Sequence, residues 1–113
     1  MNSESGGVRT LSELGLRLSD AGAIREVLGA AYSLDGLIVQ EADLDPAFLN
    51  LRSGLLGELL QTFSNHRLPL ALVVPEPARH GERFAELARE HAGHALIRLL
   101  PTVEAAREWL ARA

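Results

Sequence analysis

Phe48–Val74, FLNLRSGLLGELLQTFSNHRLPLALVV, is the stretch that decides the fold. From Gly54 to Asn65, the residues Leu55, Leu56, Leu59, Leu60 and Phe63 recur at the three-and-four spacing that stacks apolar side chains on one helix face. Asn65, His66 and Arg67 close that helix, since Asn tolerates the left-handed backbone and cations suit the negative end of a helix dipole. Leu70 to Val74 is then an unbroken apolar run, stopped by Pro75 and Pro77. Such a run without polar alternation predicts a strand covered on both faces.

The flanking segments extend the pattern. Upstream, Leu37-Ile38-Val39 is a second doubly covered strand, introduced by an Asp35-Gly36 turn. An acidic loop follows from Glu41 to Pro46, where Asp45 before Pro46 suits a helix start, and a short helical turn is expected over Ala47–Leu51. Ser19 and Asp20 offer an N-cap to a helix carrying Ile24, Val27, Leu28 and Ala31 on one stripe. Val8 to Glu13 reads as a weak first strand broken by Gly15, and Leu16–Leu18 either continues it or pairs back as a hairpin. Residues 1–7 are polar and read as a flexible tail.

Downstream, Gly81–Ala92 is helical, with Phe84, Leu87, Ala88 and His91 on one face and Gly93 as the C-cap. Ala95–Leu100 is a strand, and Thr102 caps a last helix carrying Val103, Ala106 and Leu110. Strands alternate with helices throughout. The reading is therefore one small α/β domain over residues 8–113, with a sheet of about four mostly parallel strands joined by right-handed crossovers.

Composition narrows the function classes. The 113 residues fit one domain, and aromatics make up only 4%, so the core is aliphatic. The net charge is −4 and the arginines are scattered singly, which argues against nucleic-acid binding. There is no cysteine, hence no disulfide, thiolate nucleophile or zinc–thiolate site. All 11 basic residues are arginine, so no lysine is present to form a Schiff base or a phosphate-loop contact. No apolar run approaches the roughly 20 residues that cross a bilayer, and the first residues do not read as a signal peptide. A cytoplasmic protein without a membrane segment and without a cofactor is expected.

The segment Phe48–Arg67 and the strand after it resemble a small bacterial family, domain of unknown function 4180. The family pattern is an aromatic, then L-x-[ST]-G-x-x-G-E-x-L-Q-K-F-x-N-Y-R, then a hydrophobic strand. Leu51, Ser53, Gly54, Gly57, Glu58, Leu60, Gln61, Phe63, Asn65 and Arg67 fall on it, with Thr62 in place of the Lys and His66 in place of the Tyr. The resemblance lends no activity. A strand, a loop and Ser53-Gly54-Leu55 at a helix start are also similar to STAS domains of anti-sigma-factor antagonists. That likeness implies a STAS-like fold with Ser53 at the position of the phosphorylated Ser or Thr, although Arg52 or Asn50 stands where those domains carry an Asp.

The candidate site is the helix over 53–67 and its two ends: Arg52, Ser53, Glu58, Gln61, Asn65, His66 and Arg67. Ser53 is either a phosphorylatable or ligand-binding hydroxyl at a helix N-terminus or an ordinary N-cap. Glu58 and Gln61 lie one turn apart beside the apolar stripe, where they bind a ligand or a neighbouring loop. His66 is a possible acid–base group, and Arg67 is within plausible reach of Glu58 or Asp35. His80, His91 and His94 are too irregularly spaced for a metal site, and Asp35, Glu41, Asp43 and Asp45 read as a solvated acidic loop. Two functions fit: a non-enzymatic regulatory module that binds a protein partner, or a small cofactor-independent enzyme or ligand-binding protein. An exposed apolar helix face or sheet edge also permits a homodimer.

Overall fold

Two apolar runs make the centre of the molecule, of which the computed structural model describes residues 7–112. Gly36–Gln40 forms β2 and Leu70–Val73 forms β3, paired in parallel with Leu37 opposite Leu70 and Val39 opposite Leu72. All of β3 and the first four residues of β2 are buried. Side chains alternate along a strand, so each run feeds two faces. Leu37, Val39, Leu70 and Leu72 enter one core cluster; Ile38, Ala71 and Val73 enter the other.

Val8–Thr10, β1, pairs outside β2, and Ile97–Leu100, β4, pairs outside β3. The sheet is four-stranded and all parallel among the described residues, in the order β1-β2-β3-β4. Spatial order equals sequence order, so right-handed crossovers all step the same way and lay their helices on the same face. The core composition agrees. Helices α1 (Ala21–Ala31), α3 (Leu55–Asn65) and α4 (Glu82–Glu90) supply Ile24, Val27, Leu56, Leu59, Phe63 and Phe84 to one cluster. A short helix α2 (Pro46–Leu49) adds Phe48 to it. The opposite face is covered by α5 (Val103–Arg112) through Ala106, Trp109 and Leu110. The expected single α/β domain with a parallel sheet is thus observed.

Local chemistry sets the element ends. Asp20 Oδ1 accepts from Ala23 N at 3.0 Å and caps α1; Thr102 Oγ1 accepts from Ala105 N at 3.0 Å and caps α5. Several expectations need correction. The first strand ends at Thr10, because Thr10-Leu11-Ser12-Glu13 is a capping box: Glu13 Oε1 accepts from Thr10 N at 2.8 Å and Thr10 Oγ1 accepts from Glu13 N at 3.2 Å. Leu16–Leu18 neither extends that strand nor forms a hairpin, since Leu18 bridges in parallel to Leu44. Helix α4 ends at Glu90 without a left-handed Gly93; the His91 ring donates through Nδ1 to the Leu87 carbonyl at 3.0 Å and satisfies the helix end itself. The following strand starts later than Ala95 because His94 Nδ1 accepts from Leu96 N and Ile97 N, both at 3.0 Å, and turns the chain. Most of the tail expected at residues 1–7 lies outside the described residues; Gly7 accepts from Asp35 N at 2.9 Å.

Gly36 is the first residue of β2 rather than part of a turn, and its lack of a side chain lets α5 approach. A Cβ there would sit 2.7 Å from Leu110 Cδ2 and 3.2 Å from Leu110 Cγ. Gly36→Ala should therefore destabilise the protein by about 1–3 kcal/mol through overpacking. A urea melt reads this directly, and an unchanged midpoint would mean that α5 does not seat against β2 in this way.

Glu13 has a carboxyl pKa below its ordinary 4.5. The Thr10 N–H bond is the main cause; partial desolvation opposes it, and the charges of Arg107 and Arg9 reinforce it. A depressed folded-state pKa stabilises the fold above the unfolded value and loses that stabilisation as pH falls through the folded value. Acid unfolding below about pH 4.5 should accordingly be shallower in Glu13→Gln than in the parent. Parallel acid titrations of the two proteins followed by circular dichroism test it, and superimposable curves would contradict the role given to Glu13.

Candidate functional site

The carboxyl ends of the two central strands carry the longest connection in the fold, from Glu41 to Gly54, and that connection is tied down by its own polar side chains. Gln40 and Asp43 cap each other reciprocally, with Asp43 Oδ2 accepting from Gln40 N at 2.9 Å. Asp45 Oδ2 accepts from Ala47 N at 3.0 Å with Pro46 at the first helical position of α2. Asn50 Oδ1 accepts from Arg52 N at 3.1 Å and holds a 3-10 turn over Leu51–Ser53. The acidic loop expected to be solvated is solvated only in part, since Asp43 is buried. Asp43 and Asp45 close turns, and Glu41 Oε2 lies 3.1 Å from His80 Nε2 in the connection after β3. No group of three or more metal-ligating side chains is found among the described residues.

Ser53 sits at the end of this connection, exposed. Its hydroxyl donates to the Ala47 carbonyl at 2.6 Å and accepts from Leu55 N at 3.2 Å. The N-cap position of α3 belongs to Gly54, not to Ser53: Gly54 takes φ +78°, a left-handed conformation that glycine adopts without a Cβ penalty. Ser53 thus staples the α2 end to the α3 start, and both partners of its hydroxyl are backbone groups.

Between this connection and the one after β3 lies a cleft of about 360 Å³, lined by residues 49–52 on one side and 80–83 on the other. A smaller hollow of about 240 Å³, lined by Leu51, Arg52 and Arg83, adjoins it. Arg52 and Arg83 are exposed, and neither forms an ion pair among the described residues. The His80 ring closes the far side, packed 5.1 Å from the Phe84 ring. Open α/β sheets bind ligands at the carboxyl ends of their strands, usually where strand order reverses. Here the order never reverses, and the crevice is made instead by the two loops.

The remaining candidates on α3 do not join this cleft. Glu58 is exposed and without a side-chain partner among the described residues. Gln61 Nε2 donates to Asn65 Oδ1 at 2.9 Å, one turn on. His66 Nδ1 is hydrogen-bonded to the hydroxyl of Tyr32, a side chain that is 58% exposed, and the two rings meet edge to face. The 11 residues of α3 span about 16 Å, so Arg52 and Ser53 at one end are separated from His66 and Arg67 at the other. Gln61 also faces a second hollow of about 260 Å³ between α3 and α4, where His91 and His94 stack 5.2 Å apart.

Arg67, not Asn65, takes the left-handed position, with φ +55°. Leu68 N bonds to the Phe63 carbonyl at 3.0 Å and Arg67 N to the Ser64 carbonyl at 3.1 Å, which is a Schellman close. The motif drives half-buried Leu68 against the core containing Phe63, and that burial offsets the steric strain at Arg67. Its side chain forms no ion pair with Glu58 among the described residues. Arg83 is not singled out by the sequence, and His80 enters there only as a candidate metal ligand. The available signal was their position just after the strand ended by Pro75, where such sheets place ligand-binding loops.

Fold and site together define a parallel α/β domain with a loop-built cleft over its central strands. The chain belongs to the family described as Domain of unknown function (DUF4180), which matches residues 8–110. No curated protein and no solved structure matches the chain.

Arg67→Gly should stabilise the fold by about 0.5–1 kcal/mol, because glycine removes the Cβ strain of the left-handed position and the Arg67 side chain forms no hydrogen bond or ion pair among the described residues. Thermal unfolding measures this, and a fall in the midpoint would show that the Arg67 side chain carries an interaction of its own.

Proposed function

We propose that the protein is a non-enzymatic, cytoplasmic regulatory module of STAS-like design that binds a protein partner, with Ser53 as its phosphorylation switch. The observation that carries this reading is the setting of Ser53: exposed, at a loop–helix junction on the carboxyl edge of the sheet, with its hydroxyl bonded to the backbone at two points. A hydroxyl held by a carbonyl and an amide gains no general base, which suits a modified residue better than a nucleophile. Esterification by a partner kinase would remove the hydroxyl proton and with it the bond to the Ala47 carbonyl. It would also add about −1.5 to −2 of charge next to Arg52. The α2–α3 connection then loses its staple and presents a different surface.

Two variants separate this switch from a structural staple. Ser53→Ala should cost about 0.5–1.5 kcal/mol of stability, the usual worth of a hydrogen bond. A partner retained by Ser53→Ala and released by Ser53→Asp, or the reverse, measured with the purified pair, is the expected outcome. Equal affinity for both variants would dismiss the switch.

A further inference from the structure

We infer that the cleft between the connections after β2 and β3 is a binding site for a small organic phosphate, gripped by Arg52 and Arg83. This goes beyond the reading of Ser53 and stands without it, since the cleft is lined by other residues. Three observations meet here. First, among the described residues Arg52 and Arg83 are the only charged groups that line the hollow of about 240 Å³, together with Leu51. They reach it from unrelated parts of the sequence. Second, both start from ordered backbone. Arg52 rides the 3-10 turn fixed by Asn50, and Arg83 rides the first turn of α4. Third, neither guanidinium group forms an ion pair or a hydrogen bond among the described residues. By contrast, Arg98 engages the His94 carbonyl and the Trp109 ring, Arg107 engages Glu13, and Arg17 engages the Ala42 carbonyl.

Two unneutralised cations facing one hollow repel each other until an anion enters. A guanidinium offers a planar fork of N–H donors that pairs with two oxygens at once. Two forks are better served by the three terminal oxygens of a phosphoryl group than by the two of a carboxylate. The adjoining cleft of about 360 Å³ carries Leu49 and Leu51 on its wall and has room for a short organic portion. That volume lies at the lower end of small-molecule sites. Glu82 also lines the cleft, and its carboxylate opposes an anion there. Glu41 is turned to His80 instead. The arrangement fits a compact phosphomonoester rather than a long polyphosphate.

The test is a titration of the full chain, labelled for NMR, at low ionic strength and about pH 7.5, where a phosphomonoester is mostly dianionic. The probes are propyl phosphate, inorganic phosphate and butyrate. Propyl phosphate should give saturable shifts confined to residues 49–54 and 80–85 and to the side-chain N–H groups of Arg52 and Arg83, and should bind more tightly than inorganic phosphate. Arg52→Gln and Arg83→Gln should each weaken it by about tenfold or more, as expected for loss of a charge-assisted fork. Glu82→Gln should strengthen it by roughly twofold, because a repelling charge is gone. All three side chains are exposed, so the unliganded spectra show whether each variant keeps the fold. Non-saturating shifts spread over other surface arginines, or an unchanged affinity in the double arginine variant, would overturn the site. Butyrate binding as tightly as propyl phosphate would overturn the assignment to phosphate. The titration uses the chain with Ser53 intact and unmodified and needs no partner protein, so failure here and failure of the Ser53 switch read out separately.

Discussion

Everything in this fold hangs on two adjacent strands, β2 and β3, that are apolar on both faces and must be covered on both. Their side chains alternate between two cores, so no single layer of helices satisfies them. The chain meets that demand with three crossover helices on one face and α5 on the other. Because spatial order follows sequence order, each connection after a strand emerges at the same edge beside its neighbour. The long connection after β2 and the shorter one after β3 are thereby forced together, and the Glu41–His80 contact is where they touch. A cleft at that edge is a consequence of the sheet rather than an addition to it.

The elements whose periodicity comes from burial were legible in the sequence. The leucine stripe of α3 and the apolar runs of β2 and β3 report directly which faces are covered, and the parallel sheet follows from their alternation with helices. What the sequence did not disclose was decided by side chains bonding to nearby backbone. Glu13 ended β1 three residues earlier than its hydrophobic pattern implied, His94 delayed β4, and His91 replaced the glycine cap expected at Gly93. Such bonds compete locally with strand and helix ladders, and their outcome depends on rotamers that composition does not record.

The candidate site was legible in part. The family pattern drew attention to the polar residues of α3, and its two ends turn out to have different tasks. Asn65 is bonded by Gln61, and Arg67 closes a Schellman turn while holding Leu68 in the core. Those positions explain much of the pattern by helix architecture alone. Arg52 and Ser53 lie at the other end, on the sheet edge, next to the cleft. The partners that complete the cleft, His80 and Arg83, come from a connection about thirty positions away, brought close by the pairing of β2 with β3. Local spacing carries no trace of that proximity.

The central claim is that the doubly buried pair β2–β3 is the stable heart of the domain and that the other elements depend on it. Residue-resolved native-state hydrogen exchange measures this most directly. The amides of Leu37–Val39 and Leu70–Val73 should open only by global unfolding, while those of β1 and the connection over residues 41–54 open at lower cost. Exchange at β2 and β3 as fast as at β1 would contradict the account.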